Sequence, residues 1–488
     1  MRIIKKNKNN IDLKHIIESE IRENSLRQGF PKSISVDIEK IRKKKPTAHK
    51  NFTKIPFVTI DGEDSRDFDD AVWSENKKNK TKIMVAIADV SFYVQKNDLL
   101  DLEAKKRGNS FYFPDRVVPM LPTEISNDIC SLVPNKERLC IVVEIELTKN
   151  IVSKFDIHRA KIMSVARLTY EQVDNIHYSN DSNNKYFKLI ENLFESYKIL
   201  NFNSKQRNKI KFETDEFQII NKLDNQFTFK KKPRLESYKL IEEFMILANE
   251  NVARFLKNNK LNSIFRNHEK PSKEKIINLK KILKDNDIYN KEKFNNQIDF
   301  NKIIDKLNKK KNFLNDALLR SQTKAYYFEK NEGHFGLSLS YYTHFTSPIR
   351  RYSDLQVHRD LVNFFFNKKR NKLEASLSEH LTSQEKKSDF MERKIIERAC
   401  SLYINKSKRK FFTGIIDGIE SFGIFIKALE LPFSCLARVK PRNQSYNKKF
   451  NIKSEFRIGQ KVSFRIKKND IRSGKILAEK VRGMVDNK

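Results

Sequence analysis

Short apolar stretches bounded by polar segments predict strands in the first half of the chain. Residues 55–60, 83–90 and 140–147 are rich in Val and Ile and predict buried strands, the first broken only by Pro56. Residues 209–212 alternate basic and apolar side chains, which is consistent with one more short strand.

Helical spacing of apolar residues is clearest at residues 240–256, where they recur along one face. Residues 99–107 predict a helix that ends at Gly108, since glycine favours the position after a helix. Weaker signals predict further helices, including a Lys- and Asn-rich insertion with a solvated charged face. These segments are residues 11–21, 125–132, 270–312 and 383–407.

The sequence pattern changes after residue 408, where short apolar runs that predict strands are interrupted by glycine. Several short strands in one terminal stretch predict a small closed β-barrel. Aromatic residues among basic ones on such a barrel suit single-stranded nucleic acid. The predicted strands lie at residues 411–419, 423–426, 435–439 and 456–466.

The charge balance favours a polyanionic partner. The chain has 488 residues, with 98 Lys plus Arg against 62 Asp plus Glu, so its formal net charge is +36 and its pI is about 9.8. Nucleic acid is preferred over a membrane, because the sequence has neither a run of about eighteen apolar residues nor the apolar core of a signal peptide. Lys, Asn and Ile are used heavily throughout the chain, so part of the lysine charge is compositional background.

The four cysteines are expected to be small buried hydrophobic residues in a reducing cytoplasm. Cys130, Cys140, Cys400 and Cys435 form no Cys-x-x-Cys pair, and no histidine lies at ligand spacing from them. A structural zinc site is therefore not predicted.

The most unusual stretch is residues 61–70, directly after the first predicted strand. Its ten residues include five Asp and one Glu but a single Arg, and carboxylates this dense repel one another. A divalent cation such as Mg²⁺, Mn²⁺ or Ca²⁺ would offset that repulsion, since hard cations take oxygen ligands. The spacing does not match an EF-hand loop, and a solvated acidic loop is the alternative. The apolar residues 71–73 that follow favour the metal site, because they pin the loop between two buried elements.

Two residues further along have open orientations. Asp89 ends a predicted strand, and it either faces the acidic stretch or caps the turn at Ser91. Tyr112 lies between Phe111 and Phe113, which are expected in the core. Because side chains alternate along a strand, Tyr112 is expected to point the other way, toward a groove.

A second stretch with candidate functional residues lies in the C-terminal half, around residues 333–358. Ser347 followed by Pro348 predicts a helix start, with the serine as N-cap. Arg350 and Arg351 in that first turn oppose the helix dipole, which favours an anionic ligand such as phosphate at the helix N-terminus. The alternative is that Arg350 pairs with Asp354 one turn further on.

Other polar residues are expected to have structural surroundings. Glu242 and Glu243 on the clearest predicted helix are expected to be solvent-facing charges. His334, His344 and His358 lack the spacing of a metal triad, so we expect hydrogen-bonded structural groups or RNA contacts.

Taken together, these stretches resemble the RNB family of exoribonucleases, which includes ribonuclease II and ribonuclease R, and the bacterial ribonuclease R branch in particular. The resemblance covers roughly residue 50 to the end and rests on separate motifs in family order. The motifs are Thr59-Ile60-Asp61-Gly62-Glu63-Asp64-Ser65-Arg66-Asp67-Phe68-Asp69-Asp70-Ala71-Val72, then residues 87–91, 119–122, 240–245, 333–337 and 344–352.

The resemblance implies an α+β architecture. An RNB catalytic domain at residues 51–407 would have a mixed β-sheet core with surrounding helices. An S1-type OB-fold β-barrel that binds RNA would follow at residues 408–488, and residues 1–50 would form a basic N-terminal extension. Family members usually carry two cold-shock barrels before the nuclease domain, which so short an extension is not expected to hold.

The implied activity is Mg²⁺-dependent, processive 3′→5′ hydrolysis of single-stranded RNA to nucleoside 5′-monophosphates, with Mn²⁺ as a substitute metal. The protein is expected to act in the cytoplasm as a monomer, without a membrane or an obligate protein partner. By motif position the metal ligands are Asp61, Asp67, Asp69 and Asp70, and the catalytic residues are Asp67, Asp69 and Arg350. The implied RNA-binding residues are Tyr112 and Phe212, which stack on bases, and Arg350, Arg351 and Glu397.

Two other functions stay open from the sequence. A catalytically silent RNA-binding protein would keep the fold without turnover, although the intact acidic stretch and Arg350 argue against it. A DNA-directed or endonucleolytic enzyme is the weaker alternative, and a channel that reads the 2′-OH would leave DNA intact.

Overall fold

The computed structural model has, among the residues it describes, a seven-stranded mixed sheet flanked by helices and then a closed five-stranded barrel. This confirms the predicted α+β class. The described residues are 11–44, 46, 48–212, 216–221, 226–288, 293–310, 314–366, 373–374, 376–438 and 455–484. The helices are α1 (Leu13–Glu23), α2 (Ser33–Arg42), α3 (Val90–Tyr93), α4 (Leu99–Arg107), α5 (Tyr170–Ser179), α6 (Phe187–Gln206), α7 (Glu236–Asn258), α8 (Lys273–Asp285), α9 (Gln297–Lys310), α10 (Asn315–Ser321), α11 (Tyr352–Phe365) and α12 (Leu377–Ser407). The strands are β1 (Lys50–Asn51), β2 (Val58–Asp61), β3 (Asp70–Lys77), β4 (Lys80–Ala88), β5 (Phe111–Tyr112), β6 (Val117–Val118), β7 (Glu137–Thr148), β8 (Ile151–Met163), β9 (Ala166–Thr169), β10 (Phe217–Asn221), β11 (Phe227–Lys231), β12 (Phe265–Asn267), β13 (Tyr326–Phe328), β14 (Phe411–Glu420), β15 (Gly423–Ala428), β16 (Ser434–Ala437), β17 (Lys461–Asn469) and β18 (Ile476–Gly483).

The central sheet has the strand order β1-β8-β7-β4-β3-β2-β9. The outer pairs β1–β8 and β2–β9 are parallel, and the inner pairs are antiparallel. In β4, residues 83, 85 and 87 join a core shared with α6, α7 and α11, while residues 84, 86 and 88 join a second core shared with α2 and α4. Because both faces are covered, this strand is a continuous apolar run rather than an alternation.

The predicted helix at residues 99–107 is confirmed as α4. The Asp98 carboxylate caps its start by accepting from the backbone N–H of Asp101 at 2.6 Å. Gly108 ends it with φ of +73°, a conformation that favours glycine. The predicted helix at 125–132 is shorter, a π-helical turn over Ile125–Ile129.

The predicted helix start at Ser347 and Pro348 is wrong. α11 begins at Tyr352, with Arg351 at the N-cap position. The buried Asp354 carboxylate accepts from the backbone N–H of Ser347 at 2.8 Å and from Arg351 Nη2 at 2.7 Å. These two bonds hold the preceding segment in a turn, so the helix starts later than the Ser-Pro signal indicates.

The predicted strand at residues 209–212 is also wrong, and so is the solvent-facing position of Glu243. Lys209 Nζ lies 2.5 Å from Glu242 and 2.9 Å from Glu243, which is 6% exposed. Arg207 pairs with the same Glu243 at 3.2 Å. These ion pairs hold the segment along α7 and keep it out of a sheet, and only Glu242 is solvent-facing as expected.

The C-terminal barrel closes in the order β14-β15-β16-β18-β17. A Cβ on Gly414 would lie 2.7 Å from both Ile426 Cγ2 and Lys427 O, so only glycine allows these strands to approach. The four cysteines are buried and free, as predicted. Within the described part of the chain, none of the helices is both long and apolar enough for a bilayer crossing.

Candidate active site

The acidic stretch bridges two neighbouring strands. Asp61 is the last residue of β2 and Asp70 is the first of β3. These strands pair antiparallel, so the end of one lies beside the start of the next. The carboxylates at the end of β2 and the start of β3 therefore lie at the same end of these two neighbouring strands of the central sheet.

Hydrogen bonds from surrounding elements hold this loop in place. Arg167 of β9 donates from Nη2 to the carbonyl oxygens of Gly62 and Glu63 at 2.5 and 2.6 Å. The Ser131 hydroxyl accepts from the backbone N–H of Phe68 at 3.0 Å, and the Phe68 ring is buried. The loop is anchored in the core, which argues against a freely solvated acidic loop.

Asp69 joins the acidic loop to the arginine-bearing segment. Its carboxylate is 4% exposed, and Oδ1 accepts from the backbone N–H of Ile349 at 2.8 Å. Oδ2 lies 3.4 Å from Nε of Arg350, whose side chain is 47% exposed and also donates to Ser347 Oγ. A buried carboxylate and an open guanidinium, far apart in sequence, thus share one site.

Burial disfavours the ionised form of the carboxylates at this site. It raises the pKa of Asp61 to about 6 and that of Asp70 to about 8, and neighbouring carboxylates add to both shifts. Burial also raises the pKa of Asp69 well above its usual value. Oδ2 of Asp61 and Oδ2 of Asp69 accept no hydrogen bond from the described residues, since the Arg350 contact lies outside hydrogen-bond geometry. Such oxygens are stabilised by a proton or by a cation.

The carboxylates of the acidic loop are the type of donor that a divalent cation takes. The carboxylates of Asp61, Asp67, Asp69 and Asp70 offer the oxygen ligands that Mg²⁺ and Mn²⁺ prefer. Among the described residues, no three His, Cys, Asp or Glu side chains converge as a complete metal site. Mg²⁺ usually takes one or two carboxylates and completes its shell with water and substrate phosphate, which agrees with this arrangement. The four carboxylates stay the predicted ligands.

Tyr112 reaches the acidic loop from the β5–β6 hairpin. Its hydroxyl donates to Oδ2 of Asp67 at 2.9 Å. Tyr112 is 42% exposed and Phe111 is 1% exposed, which confirms the predicted alternation. An exposed ring beside the carboxylates is a surface on which a base can stack.

Arg350 and Arg351 have different surroundings. Arg351 pairs with Asp354 at 2.7 Å, so the alternative pairing of Arg350 with Asp354 is not formed. Arg350 stays beside Asp69 with its guanidinium half exposed, where a phosphate can reach it. Arg351 holds the turn before α11, and its contact with RNA stays a prediction.

Phe212 lies in a separate cavity of about 1020 Å³. None of the described residues that line it belongs to the acidic loop, so Phe212 and Tyr112 occupy different parts of the molecule. An aromatic ring among basic groups suits a nucleic-acid strand. The basic residues that line the cavity are Lys205, Lys209, Lys211, Lys239, Lys275, Arg320 and Lys324.

Glu397 lies at the junction of α12 and the barrel rather than in the acidic loop. Its ion-pair partners are Lys394 at 3.2 Å and Arg393 at 3.8 Å on the same helix. A Cβ on Gly474 of the barrel would come within 3.0 Å of Glu397 Cβ. The structure does not group this residue with the predicted catalytic carboxylates.

Asp89 caps its own turn. Its Oδ1 accepts from the backbone N–H of Phe92 at 3.1 Å and from Ser91 Oγ at 2.6 Å. Oδ2 pairs with Arg159 at 2.6 Å. Although burial opposes ionisation, the His49 imidazole at 3.6 Å and the Arg159 charge lower the pKa of Asp89 to about 2. The capping alternative is therefore confirmed.

His334, His344 and His358, which were expected to be structural groups or RNA contacts, are hydrogen-bonded within the fold. His358 Nε2 lies 2.8 Å from the Phe345 carbonyl, and His344 Nδ1 lies 2.7 Å from the Tyr327 hydroxyl. His334 Nδ1 accepts a backbone N–H at 3.2 Å. These partners support the structural interpretation.

Arg167 and Tyr170 border the acidic loop, although the sequence did not indicate them. β9 pairs parallel with β2 and places Thr169 opposite Asp61. Burial and the nearby charges of Asp70 and Asp61 raise the pKa of Tyr170. No pattern in the sequence connects these residues with the acidic stretch, because their proximity depends on the strand order of the sheet.

A family model described as "RNB domain" matches residues 49–367, a span that contains the acidic loop, Tyr112 and Arg350. The match covers more than half of the chain. The chain therefore belongs to the RNB family.

The chain is similar to ribonuclease R from several bacteria. Ribonuclease R of Buchnera aphidicola subsp. Schizaphis graminum is 38% identical, over 76% of this chain and 54% of that protein. Ribonuclease R of Thermotoga maritima is 35% identical, over 92% of this chain and 66% of that protein. The chain thus spans between about half and two thirds of the length of these relatives. The structure of Mycoplasma genitalium RNase R in complex with ribose methylated single-stranded RNA is 27% identical, with a TM-score of 0.87 over 96% of this chain and 78% of that chain.

Proposed function

We propose that this chain is a metal-dependent 3′→5′ exoribonuclease that hydrolyses single-stranded RNA processively to nucleoside 5′-monophosphates. The observation that carries the proposal is the contact of Asp69 with both Ile349 and Arg350. It brings buried, partly unpaired carboxylates against an exposed guanidinium. That combination suits hydrolysis of a phosphodiester, in which water is activated and phosphate charge is stabilised.

Each part of the site has its own task in this proposal. A divalent cation held by the four predicted ligands would supply a more acidic bound water and neutralise phosphate charge. Arg350 contacts the scissile phosphate with its planar guanidinium and stabilises the charge that builds up there. The backbone bond from Ile349 keeps the Asp69 carboxylate beside that guanidinium.

Tyr112 supports the end of the RNA. Its exposed ring lies next to the acidic loop, so a base stacked on it would place the adjoining phosphate near the carboxylates. Stacking of this kind tolerates any base, which suits an enzyme that degrades RNA of varied sequence. The 3′→5′ direction rests on the likeness to ribonuclease R.

The remaining RNA contacts would keep the strand bound between cuts. The basic cavity with Phe212 offers a second stacking surface, and the barrel exposes Phe411, Phe422 and Phe425. Several contacts along one strand favour retention after each cleavage, which is the basis for proposing processivity. The single-stranded RNA bound to the Mycoplasma genitalium protein supports the same substrate class here.

Digestion of end-labelled oligonucleotides tests the proposal. With Mg²⁺, 3′-labelled single-stranded RNA is expected to release labelled mononucleotide at the first time points, and 5′-labelled RNA is expected to yield one short final product. EDTA should stop the reaction, and DNA of matched sequence should stay intact. Early internal fragments, or equal loss of DNA, would contradict the proposal. Tight RNA binding without nucleotide release in Mg²⁺ or Mn²⁺ would instead identify a silent RNA-binding protein.

A further inference from the structure

The hairpin that presents Tyr112 depends on its surroundings for its shape. Its strands β5 and β6 have two residues each, and a two-stranded ribbon of that size needs external packing. Phe111 and Val118 form its inner face at 1% and 4% exposure, while Tyr112 and Val117 point outward. Whatever packs against the inner face therefore decides where the Tyr112 ring lies.

Helix α1 belongs to the apolar cluster that contains the inner face of the hairpin. Its buried apolar residues share one cluster with Phe111, Val118 and residues of α12. The helix lies outside residues 49–367, so the RNB match assigns it no task. The residues of α1 in the cluster are Leu13, Ile16, Ile17 and Ile21.

Polar contacts connect the same two elements. Arg116 at the hairpin tip lies 3.7 Å from Glu18 of α1. The buried Arg107 donates from Nη1 to the carbonyl oxygens of Arg27, just after α1, and Pro119, just after β6, at 2.9 and 3.0 Å. One guanidinium thus joins the chain that follows the helix to the chain that follows the hairpin.

The other side of the hairpin contacts the candidate active site. Ser110 donates its backbone N–H to the carbonyl of Arg350 at 3.0 Å, and the Tyr112 hydroxyl donates to Asp67. A displacement of the hairpin would therefore move the stacking ring relative to Asp67 and Arg350.

We propose that α1 is a positioning element for the RNA 3′ end, because the apolar cluster that it shares with Phe111 and Val118 fixes Tyr112 beside the acidic loop. This inference rests on the proposed exoribonuclease function. It gives a segment outside the RNB match an influence on KM and on the length of the shortest product. A purely structural role, in which α1 only stabilises α12 through the Glu20–Arg398 pair, predicts neither effect.

Hydrogen–deuterium exchange of the full chain without RNA tests the positioning itself. Ile17→Ala removes most of a fully buried side chain from α1 and is expected to speed amide exchange at residues 108–120 by about tenfold. Ile190→Ala is the matched control, since Ile190 of α6 is equally buried but lies in the core that excludes the hairpin. Unchanged hairpin exchange in folded Ile17→Ala protein would overturn the inference, whatever its activity. Ile17→Val gives the same comparison with a smaller cavity if the alanine variant does not fold.

A double-mutant cycle with Tyr112→Ala tests the functional consequence. Ile17→Ala alone is expected to raise KM by about tenfold, within the range that loss of one stacked base produces, and to lengthen the shortest product. In the Tyr112→Ala background it should add nothing, because the ring that it positions is gone. Effects that multiply in the double variant would show that α1 acts on general stability and would contradict the inference. If wild-type protein releases no nucleotide, the proposed function fails while the exchange result still decides the positioning.

Discussion

Asp69 accepts a hydrogen bond from the backbone N–H of Ile349 at 2.8 Å, and this bond joins the loop before β3 to the turn before α11. It occupies Oδ1 and leaves Oδ2 directed at Arg350. Because the donor is a main-chain group, the contact depends on the residue at position 69 and on the shape of the turn.

The ring and the hydroxyl of Tyr112 are expected to have separable effects. Tyr112→Ala removes the stacking surface and should weaken RNA binding by about 1–3 kcal/mol. Tyr112→Phe keeps the ring and removes only the donor to Asp67, so RNA affinity should stay within about twofold of wild type. Fluorescence anisotropy with labelled RNA in EDTA measures both variants, and equal losses would contradict a stacking role.

Replacement of Arg350 is expected to slow hydrolysis more than it weakens binding. Arg350→Gln should lower the single-turnover rate by roughly 10²–10³-fold, the effect seen when one group that stabilises developing charge is removed. Arg350→Lys should be intermediate, because it keeps the charge but loses the planar fork. A rate for Arg350→Gln close to that of wild type would exclude this role.

Arg351 provides the contrast to its neighbour. Arg351→Gln should destabilise the fold by roughly 3 kcal/mol, because it leaves the fully buried Asp354 carboxylate without its cation. Urea denaturation measures this loss. If Arg351→Gln unfolds like wild type, the pairing with Asp354 does not hold the turn.

Arg167 is expected to act on metal binding through the loop that it holds. Arg167→Gln removes both hydrogen bonds to the Gly62 and Glu63 carbonyls and should lower Mn²⁺ affinity by about 10–100-fold, as loss of a supporting contact to a metal loop does. Arg66→Gln is the matched control, since Arg66 is an exposed arginine of the same loop. Isothermal titration without RNA measures both, and equal affinities would count against the support that Arg167 gives.

The contribution of Asp61 and Asp70 to stability without metal should fall as pH rises from about 4 to 8. Burial raises the pKa of Asp61 to about 6 and that of Asp70 to about 8, so the folded state keeps protons that the unfolded chain releases near pH 4. Mg²⁺ replaces those protons and should raise Tm more at pH 8 than at pH 5. Asp89 acts in the opposite direction, and only below about pH 4, because its pKa is lowered to about 2. A Mg²⁺ effect on Tm that is equal at both pH values would contradict the raised pKa values.

The sequence predicted the acidic loop and many of the individual strands and helices because their signals are local. The buried strands, the helix that ends at Gly108, the C-terminal barrel and the outward-pointing Tyr112 all follow from periodicity and turn chemistry. The crowding of aspartates between two buried strands likewise required no knowledge of distant contacts.

The wrong predictions concern segments whose structure depends on tertiary contacts. The helix does not start at Ser347, because the Asp354 carboxylate accepts the backbone N–H of Ser347 and holds this segment in a turn. Residues 209–212 do not form the predicted strand, because the ion pairs of Lys209 hold them along α7. Arg167 could not be found, because only the pairing of β9 with β2 brings it to the loop.

The most direct test of the metal-dependent site is the rate of mononucleotide release by Asp69→Asn in Mg²⁺, measured beside Asp64→Asn. Asparagine can still accept the Ile349 bond, so the variant should fold and bind RNA, yet it should release mononucleotide at least about 10²-fold more slowly than wild type. Asp64 is an exposed carboxylate of the same loop, and Asp64→Asn should match wild type. Wild-type release by Asp69→Asn, or an equal loss in both variants, would contradict the assignment of hydrolysis to this carboxylate.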